Sequence, residues 1–298
     1  MDVTGCLELW GGVGRWSALV RATSRRELAE AVSAGAVVRD SRGRYALPTA
    51  GEALRRAHAM SAVLSHQSAA AHWGWEQKDT PTTITVTVPR SRRLRTIPKD
   101  VSVHWADLAP DDVDRAGVTS RSRTLVDCLR TLPFDAGLAI ADSALRNGDC
   151  AEFTLQRLAR AVRGRGAGTV RRVASCATAL AANPFESVLR ALCLDAGLDV
   201  EPQVAIYRED GPQREFLGRP DLVDRGRRLI FEADSYEYHG GQHEFRRDCR
   251  RYNGFQLVPF RCFRMPWLDT IREQHRVTDV LVQLVNPAPV PLTFLVAA

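Results

Sequence analysis

Gly218-Arg219-Pro220-Asp221-Leu222-Val223-Asp224, followed after Arg225-Gly226-Arg227-Arg228 by Leu229-Ile230-Phe231-Glu232-Ala233-Asp234, is the stretch on which the fold of this chain turns. Two apolar runs on either side of a Gly- and Arg-containing break predict two strands, Glu215 to Asp224 and Leu229 to Asp234. Alternate side chains of a strand share a face, so Glu232 and Asp234 point the same way as Ile230, away from Leu229, Phe231 and Ala233. If Asp224 closes against Leu229 across the four-residue loop, antiparallel register sets Asp221 opposite Glu232, with both carboxylates on one face. A loop one residue different destroys that pairing. Like charges opposed across a ladder are destabilising unless a cation offsets them. Carboxylate oxygens are the ligands a hard divalent metal takes, and Mg2+ or Mn2+ held there polarises a phosphodiester and activates a water. The same charges also fit a solvated sheet face, with Asp221 and Glu232 paired to nearby arginines.

The flanking sequence builds outward from this pair. Asn183-Pro184-Phe185-Glu186 predicts a helix start, with Asn as N-cap, Pro at the first helical position and Glu at the third; Gly197 closes the helix. Glu186 therefore has a capping role available, alongside Arg190 one turn on. Gln203 to Tyr207 predicts a strand. A helix over about 242–253 directs Phe245, Cys249 and Tyr252 inward and leaves Arg246, Arg247, Arg250 and Arg251 on its remaining surface, where they suit phosphate contact. Gln256 to Phe263 reads as a strand and Ile271 to Leu284 as a closing helix. Cys249 and Cys262 read as core residues rather than nucleophiles.

Phe185-Glu186-Ser…Leu189-Arg190…Gly197-Leu…Gln203…Gly218-Arg219-Pro220-Asp221-Leu…Leu229-Ile-Phe-Glu232-Ala-Asp234…His239…Phe245-x-x-Asp248-x-x-Arg251 resembles the Vsr-like domains catalogued as domain of unknown function 559, within the PD-(D/E)xK restriction-endonuclease superfamily. The likeness covers about residues 180–285. It implies a mixed sheet flanked by helices, with Asp221 and Glu232 holding Mg2+ or Mn2+ and Glu186 assisting from the first helix. The superfamily's usual lysine, two residues after the second acid, is Asp234 here. Vsr-like members lack it too and employ histidine, so the resemblance implies His239 as the base. The catalytic set implied is Glu186, Asp221, Glu232, Asp234 and His239.

Nearer the N-terminus, residues 1–50 read as helix, helix, hairpin. Gly14 to Ala22 offers a first helix. Ser24-x-x-Glu27 is a capping box opening a second, and Gly35 is a left-handed stop. Ala36 to Arg39 and Arg44 to Leu47 flank the turn Asp40-Ser-Arg-Gly43. Together they predict a small winged helix-turn-helix, with Arg25, Arg26, Arg42 and Arg44 placed for phosphate contact; a winged fold used for protein contact fits as well. The run Thr23-Ser-Arg-Arg-Glu-Leu-Ala-Glu…Gly35…Arg44-Tyr-Ala-Leu-Pro48 resembles the N-terminal domain of AbiEi-type antitoxins, which implies DNA-binding autorepression.

Residues 51–178 form a middle segment: an Ala-rich helical stretch from Glu52 to Trp73, strands Thr83 to Val88 and Val101 to Trp105, and helices Arg121 to Arg130 and Ala136 to Leu145, with Gly148 as a stop. Ser65-His66-x-Ser68 and Thr119-Ser-x-x-Arg123-Thr-Leu-Val-Asp127 look like the AbiEi-like segment that follows such winged domains. His66, His72 and His104 have no ligand-spaced carboxylate or cysteine beside them and read as structural. The basic run Arg90 to Lys99 is a solvated face or a nucleic-acid contact. Arg163 to Gly168 begins the connection to residues 179–298.

With 298 residues and a net charge of +6, the chain suits about two domains and permits a polyanionic partner. Its bases are nearly all arginine, the better fork for phosphate, though arginine also accompanies high-GC coding. The seven cysteines never form CxxC, so no disulfide scaffold or zinc site is expected and a reducing cytoplasm is. No apolar run reaches membrane length and no secretory signal is read at Asp2 to Glu8. The overall expectation is an α/β (α+β overall) protein: an N-terminal winged helix-turn-helix, a mixed α/β middle segment and a C-terminal restriction-endonuclease-like mixed sheet. Its expected work is cytoplasmic, metal-dependent endonucleolytic cleavage of DNA in repair or phage defence. The alternatives are a non-cleaving DNA-binding regulator, or a defence or toxin–antitoxin component acting through a protein partner.

Overall fold

The computed structural model describes residues 1–210, 213–234 and 242–287. The chain is mixed α/β, with several small sheets, and divides into two compact units, Met1–Ala177 and Thr178–Ala298. No helix among the described residues is long and apolar enough to cross a membrane.

The first unit opens with a helix that the sequence does not predict, α1 (Val3–Leu9), capped by Asp2, whose carboxylate accepts from the Gly5 amide at 2.8 Å. The helix expected from Gly14 begins later. Val13–Arg15 is β1, and α2 is Trp16–Ala22. The Ser24 capping box forms as expected: Ser24 Oγ accepts from the Glu27 amide at 3.1 Å and opens α3 (Arg25–Ser33), and Gly35 takes φ +71°. β2 (Val38–Ser41) and β3 (Arg44–Ala46) form the hairpin, and β1 pairs antiparallel with β3 to give a three-stranded sheet in the order β1-β3-β2.

Glu52 to Trp73 is not one helix. It breaks into α4 (Glu52–Ala59), β4 (Val63–Leu64) and α5 (His66–His72). Ser61 turns the chain with φ 55°, and Leu64 then pairs with Val86 of β5 (Ile84–Val88). β5 runs parallel to β6 (Val101–Trp105). Its alternation suggests one wet face, yet Thr85 and Thr87 are buried along with Val86 and Val88. The helix face of α5 explains this, because Ser68 Oγ accepts from the Thr85 amide at 2.8 Å and Thr87 donates to Ser65 at 2.8 Å. Val13 and Ala46 share one apolar core with Leu54, Ala57, Leu64, Val86 and Val118, so residues 1–50 and the stretch after them pack together. Four helices complete the unit: α6 (Arg121–Thr131), α7 (Phe134–Arg146), α8 (Glu152–Ala161) and α9 (Ala167–Cys176). Because α9 packs on α6, α7 and α8, Arg163 to Gly168 lies inside this unit rather than starting the connection out of it.

The second unit begins with α10 (Pro184–Asp195), where Asn183 Oδ1 accepts from the Glu186 amide at 3.0 Å, the cap the sequence predicts. The expected strand at Gln203 is interrupted. β7 is Glu201–Pro202, Gln203 has φ 57°, and β8 resumes at Ile206–Asp210. Glu215 to Asp224 likewise splits into β9 (Gln213–Gly218) and β10 (Leu222–Asp224), with β8 and β9 forming a separate two-stranded ribbon. β11 is Leu229–Asp234, α11 is Gln242–Leu257 and β12 is Arg261–Pro266, later than the strand expected from Gln256. The chain closes with α12 (Trp267–Ile271) and α13 (Gln274–Val285), two helices where one was expected. The main sheet runs β12-β11-β10-β7, parallel at β11–β12 and antiparallel elsewhere. Leu222, Leu229 and Phe231 face α10 and α13 on one side; Val223 and Ile230 face Phe255 of α11 on the other. Cys249, expected in the core, is exposed, whereas Phe255 of the same helix is fully buried.

Candidate active site

The hairpin closes with Asp224 opposite Leu229, the register on which the pairing of the two acids depends; Val223 then faces Ile230 and Leu222 faces Phe231. The next step of the ladder brings Asp221 beside the strand that carries Glu232. The Asp221 carboxylate turns back and accepts a hydrogen bond from the Ala233 amide at 2.8 Å. Glu232 is buried, only 5% exposed. Burial pushes the Asp221 carboxyl above the usual carboxylate range, against the Ala233 amide and the charge of Arg251. Burial raises Glu232 as well, to about 8, helped by the negative charge of Asp221 and opposed by Arg251. Arg251 Nη1 stands 3.5 Å from Glu232 Oε1, which is buried and accepts no hydrogen bond among the described residues.

Glu186 joins this pair through Gln203. The Gln203 side-chain amide donates to Glu186 Oε2 at 3.2 Å and reaches Asp221 Oδ1 at 3.5 Å, while its backbone N–H donates to the Asp221 carbonyl at 3.0 Å. Glu186 also keeps its capping role: Oε2 accepts from the Ala182 amide at 2.9 Å and Oε1 from Asn183 at 3.1 Å. Asp234 shares the face of Glu232 and is paired with Arg264, the residue beside Glu232 on β12. Five expected site residues thus resolve into a linked trio (Glu186 and Glu232 buried, Asp221 half-buried), a neutralised Asp234, and His239, which lies outside the described residues. Among the described residues, no three His, Cys, Asp or Glu side chains gather as a ready metal cage.

Above the acids lies a cleft of about 320 Å³ lined by Asp221, Glu232, Asp234, Arg247, Arg251 and Tyr252, among others. Arg247, Asp248 and Arg251 also line a wider, adjoining groove of about 840 Å³, which adds Phe216, Arg219, Arg246 and Arg250. Arg247 and Arg251 of α11 therefore border the acid site, while Arg246 and Arg250 line the adjoining groove. Arg251 differs from the other three, since its stem lies against Gly218, where any Cβ would stand 3.1 Å from Arg251 Cγ. A glycine at 218 lets the guanidinium settle over Glu232. Sequence reasoning missed Gln203 as a bridge, Tyr252 as a lining ring and Arg264 as the counter-ion of Asp234. It also missed the exposed ring pair of Tyr207 and Phe216, whose centroids are 5.4 Å apart on the β8–β9 ribbon.

The other expected DNA-contact residues lie in the first unit. Arg25, Arg26 and Arg42 are exposed. Arg25 lies 5.2 Å from the centre of the Trp16 ring, Arg26 pairs with Glu30 at 3.4 Å, and Arg44 donates to the Ser61 hydroxyl. Of the histidines of this unit His66 is buried: it stacks with His104, centroids 3.8 Å apart, and burial pushes it down to about 3.

No protein-family model matches the chain, and no curated protein matches it. Among solved structures, the Rv2827c protein from Mycobacterium tuberculosis is similar at 17% identity over 70% of this chain and 87% of that one, with a TM-score of 0.29. A likeness that remote carries no argument about fold or function.

Proposed function

We propose that the chain is a DNA-binding, divalent-metal-dependent endonuclease, with a Vsr-like nuclease unit after an AbiEi-like, winged-helix-bearing first unit. The observation that carries this reading is the acid pair: half-buried Asp221 and buried Glu232 converge under an arginine-lined cleft, and Glu232 Oε1 has no hydrogen-bond donor among the described residues. Two carboxylates this close are unfavourable by themselves, and their hard oxygens suit Mg2+ or Mn2+. Asp221 and Glu232 would hold the ion, with water and substrate phosphate filling its remaining positions, as magnesium sites commonly do. When bound, the ion supplies Lewis-acid polarisation of the phosphodiester and a water of lowered pKa.

The residues of the chain do the rest. Gln203 and the Ala233 amide fix the Asp221 carboxylate, Glu186 anchors Gln203, and Arg246, Arg247 and Arg250 hold flanking phosphates. His239 is the proposed proton acceptor. Incubating supercoiled plasmid with the full chain and Mg2+ or Mn2+ tests the reading: nicking by the parent chain and none by Asp221→Ala is expected. A parent chain that binds DNA without nicking it in either metal leaves the second reading, a non-cleaving regulator. That reading is favoured by Arg251, which already offsets Glu232, and by Asp234 and its Arg264 partner standing where a lysine would serve catalysis.

A further inference from the structure

Arg15 of β1 and Arg44 of β3 are direct partners across an antiparallel ladder, so their side chains leave the same face. Like charges in that relation repel, and an unconstrained pair would splay into solvent. Here the fold holds Arg44 in. Arg44 donates to the Ser61 hydroxyl, while Arg92 donates to the carbonyls of Ser61 at 2.6 Å and Met60 at 2.5 Å. Ser61 does this from φ 55°, a left-handed conformation that strains a non-glycine residue. Strained backbone thus brings two arginines together beside a third. Burial lowers the pKa of Arg44, and the charges of Arg15 and Arg92 lower it further.

Among the described residues no carboxylate forms an ion pair with Arg15, Arg44 or Arg92. Asp114, on the same cavity, accepts the Val118 amide at 2.8 Å. His58 contacts the Gly14 carbonyl at 3.1 Å, and burial with the neighbouring arginines lowers its pKa. The cavity, about 380 Å³, is bordered by Trp10, Arg15, Arg44, His58, Ser61 and Arg115.

We propose that Arg15 and Arg44 form a phosphate-binding site in this cavity, with Arg92 bracing the Ser61 turn beside them. Guanidinium forks from two paired strands suit a tetrahedral anion with several oxygens better than a planar carboxylate, which one fork satisfies. The phosphate belongs either to the backbone of a bound nucleic acid or to a free phosphoester. The site lies wholly within residues 1–177, needs no metal, and is independent of the nuclease reading.

Thermal melts of the full chain in chloride and in phosphate at equal ionic strength test it, beside Arg15→Gln and Arg92→Gln. Phosphate is expected to raise the midpoint of the parent chain, since a ligand bound only by the folded state stabilises it. Arg15→Gln should melt higher than the parent in chloride, through relief of repulsion, and bind inorganic phosphate on the order of tenfold more weakly. If Arg92→Gln fails to fold because its anchor at Ser61 is lost, the exposed Arg15 carries the test alone. A phosphate-induced shift equal in parent and Arg15→Gln overturns the site. Two further measurements assign the source. A duplex-binding salt slope reduced by about 0.9 in Arg15→Gln marks a backbone phosphate. Loss of nucleoside monophosphate binding in equilibrium dialysis, with the slope unchanged, marks a free phosphoester. If neither effect appears, the proposal is rejected.

Discussion

Arg251 Nη1 lies 3.5 Å from Glu232 Oε1, an ion pair without a hydrogen bond, made where Glu232 is already raised by burial and by Asp221. The guanidinium therefore only partly offsets the acid pair. Because the folded-state pKa of Glu232, about 8, exceeds its unfolded value, the folded protein binds more protons than the unfolded chain between the two. The contribution to stability is present below the unfolded pKa and is lost as pH rises through about 8.

Glu232→Gln should consequently melt at a higher denaturant concentration than the parent at pH 9 in chelator, and the difference should shrink toward pH 6. The slope at stake is about 1.4 kcal/mol per pH unit for one proton. Denaturant titrations at the two pH values measure it. An equal offset at both would show that Glu232 does not titrate in this window. Adding Mg2+ or Mn2+ at pH 9 should close the gap by stabilising only the parent.

Under the nuclease reading, metal ligand and base separate by mutation. Asp221→Ala and Glu232→Ala should each lose cation binding and cleavage together, since too few hard oxygens remain. His239→Ala should retain cation affinity while cleavage slows by roughly 10²–10⁴-fold, the usual worth of general acid–base catalysis. Calorimetric metal titration and single-turnover cleavage read the two effects independently. Full activity in His239→Ala removes that residue from the mechanism and leaves Glu186 or Asp234 as candidates.

The first unit should weaken in acid. His66 is pushed down to about 3, first by burial and then by the charges of His104 and Arg123. A folded-state pKa below the unfolded one means the unfolded chain takes up the proton first, so stability falls as pH drops below about 6.5. His66 has φ 51°, which asparagine tolerates. His66→Asn should therefore flatten the loss of stability between pH 7 and pH 5 by about one proton's worth. Identical pH slopes would assign the loss to other groups, such as His58, His72 and His104, which burial also lowers.

What the sequence made legible was local. The pairing of Asp224 with Leu229 follows from strand period and loop length, and the caps at Ser24 and Asn183 follow from short-range hydrogen bonding. Long-range packing was not legible. Ala-rich periodicity from Glu52 onward favours a helix, yet Val63 and Leu64 gain more by joining β5, and the chain breaks at Ser61. Thr85 and Thr87 read as a wet face because their partners, Ser65 and Ser68, arrive from another element. Arg251 reads as one of four equivalent surface arginines, because only the lie of α11 against Gly218 sets it over Glu232.

Duplex binding through Arg25, Arg26 and Arg42 predicts a salt effect. Deleting residues 1–50 is a poor test, since Val13 and Ala46 belong to a core shared with Leu54 and Val86. Replacing the three arginines with glutamine leaves that core intact. If all three hold phosphates, the slope of log affinity against log salt should fall by about 0.9 for each phosphate no longer neutralised. An unchanged slope and affinity would assign this surface to a protein partner.

Gln203 offers the sharpest separation of positioning from stability. It holds φ 57° while its side chain lies 3.2 Å from Glu186 and 3.5 Å from Asp221. A non-glycine residue there stores strain on the order of 1 kcal/mol or more, and glycine would release it. Gln203→Gly should therefore fold at least as well as the parent in denaturant titration while losing the amide that joins the two acids. Under the nuclease reading its cleavage rate falls and its metal affinity weakens, because Asp221 keeps only the Ala233 amide to orient it. Gln203→Asn keeps an amide but shortens the arm, so it should resemble glycine in rate, and because asparagine tolerates a left-handed φ it should fold no worse than the parent. A glycine variant that is both more stable and fully active would show that the left-handed turn is incidental and that Glu186 takes no part in the site.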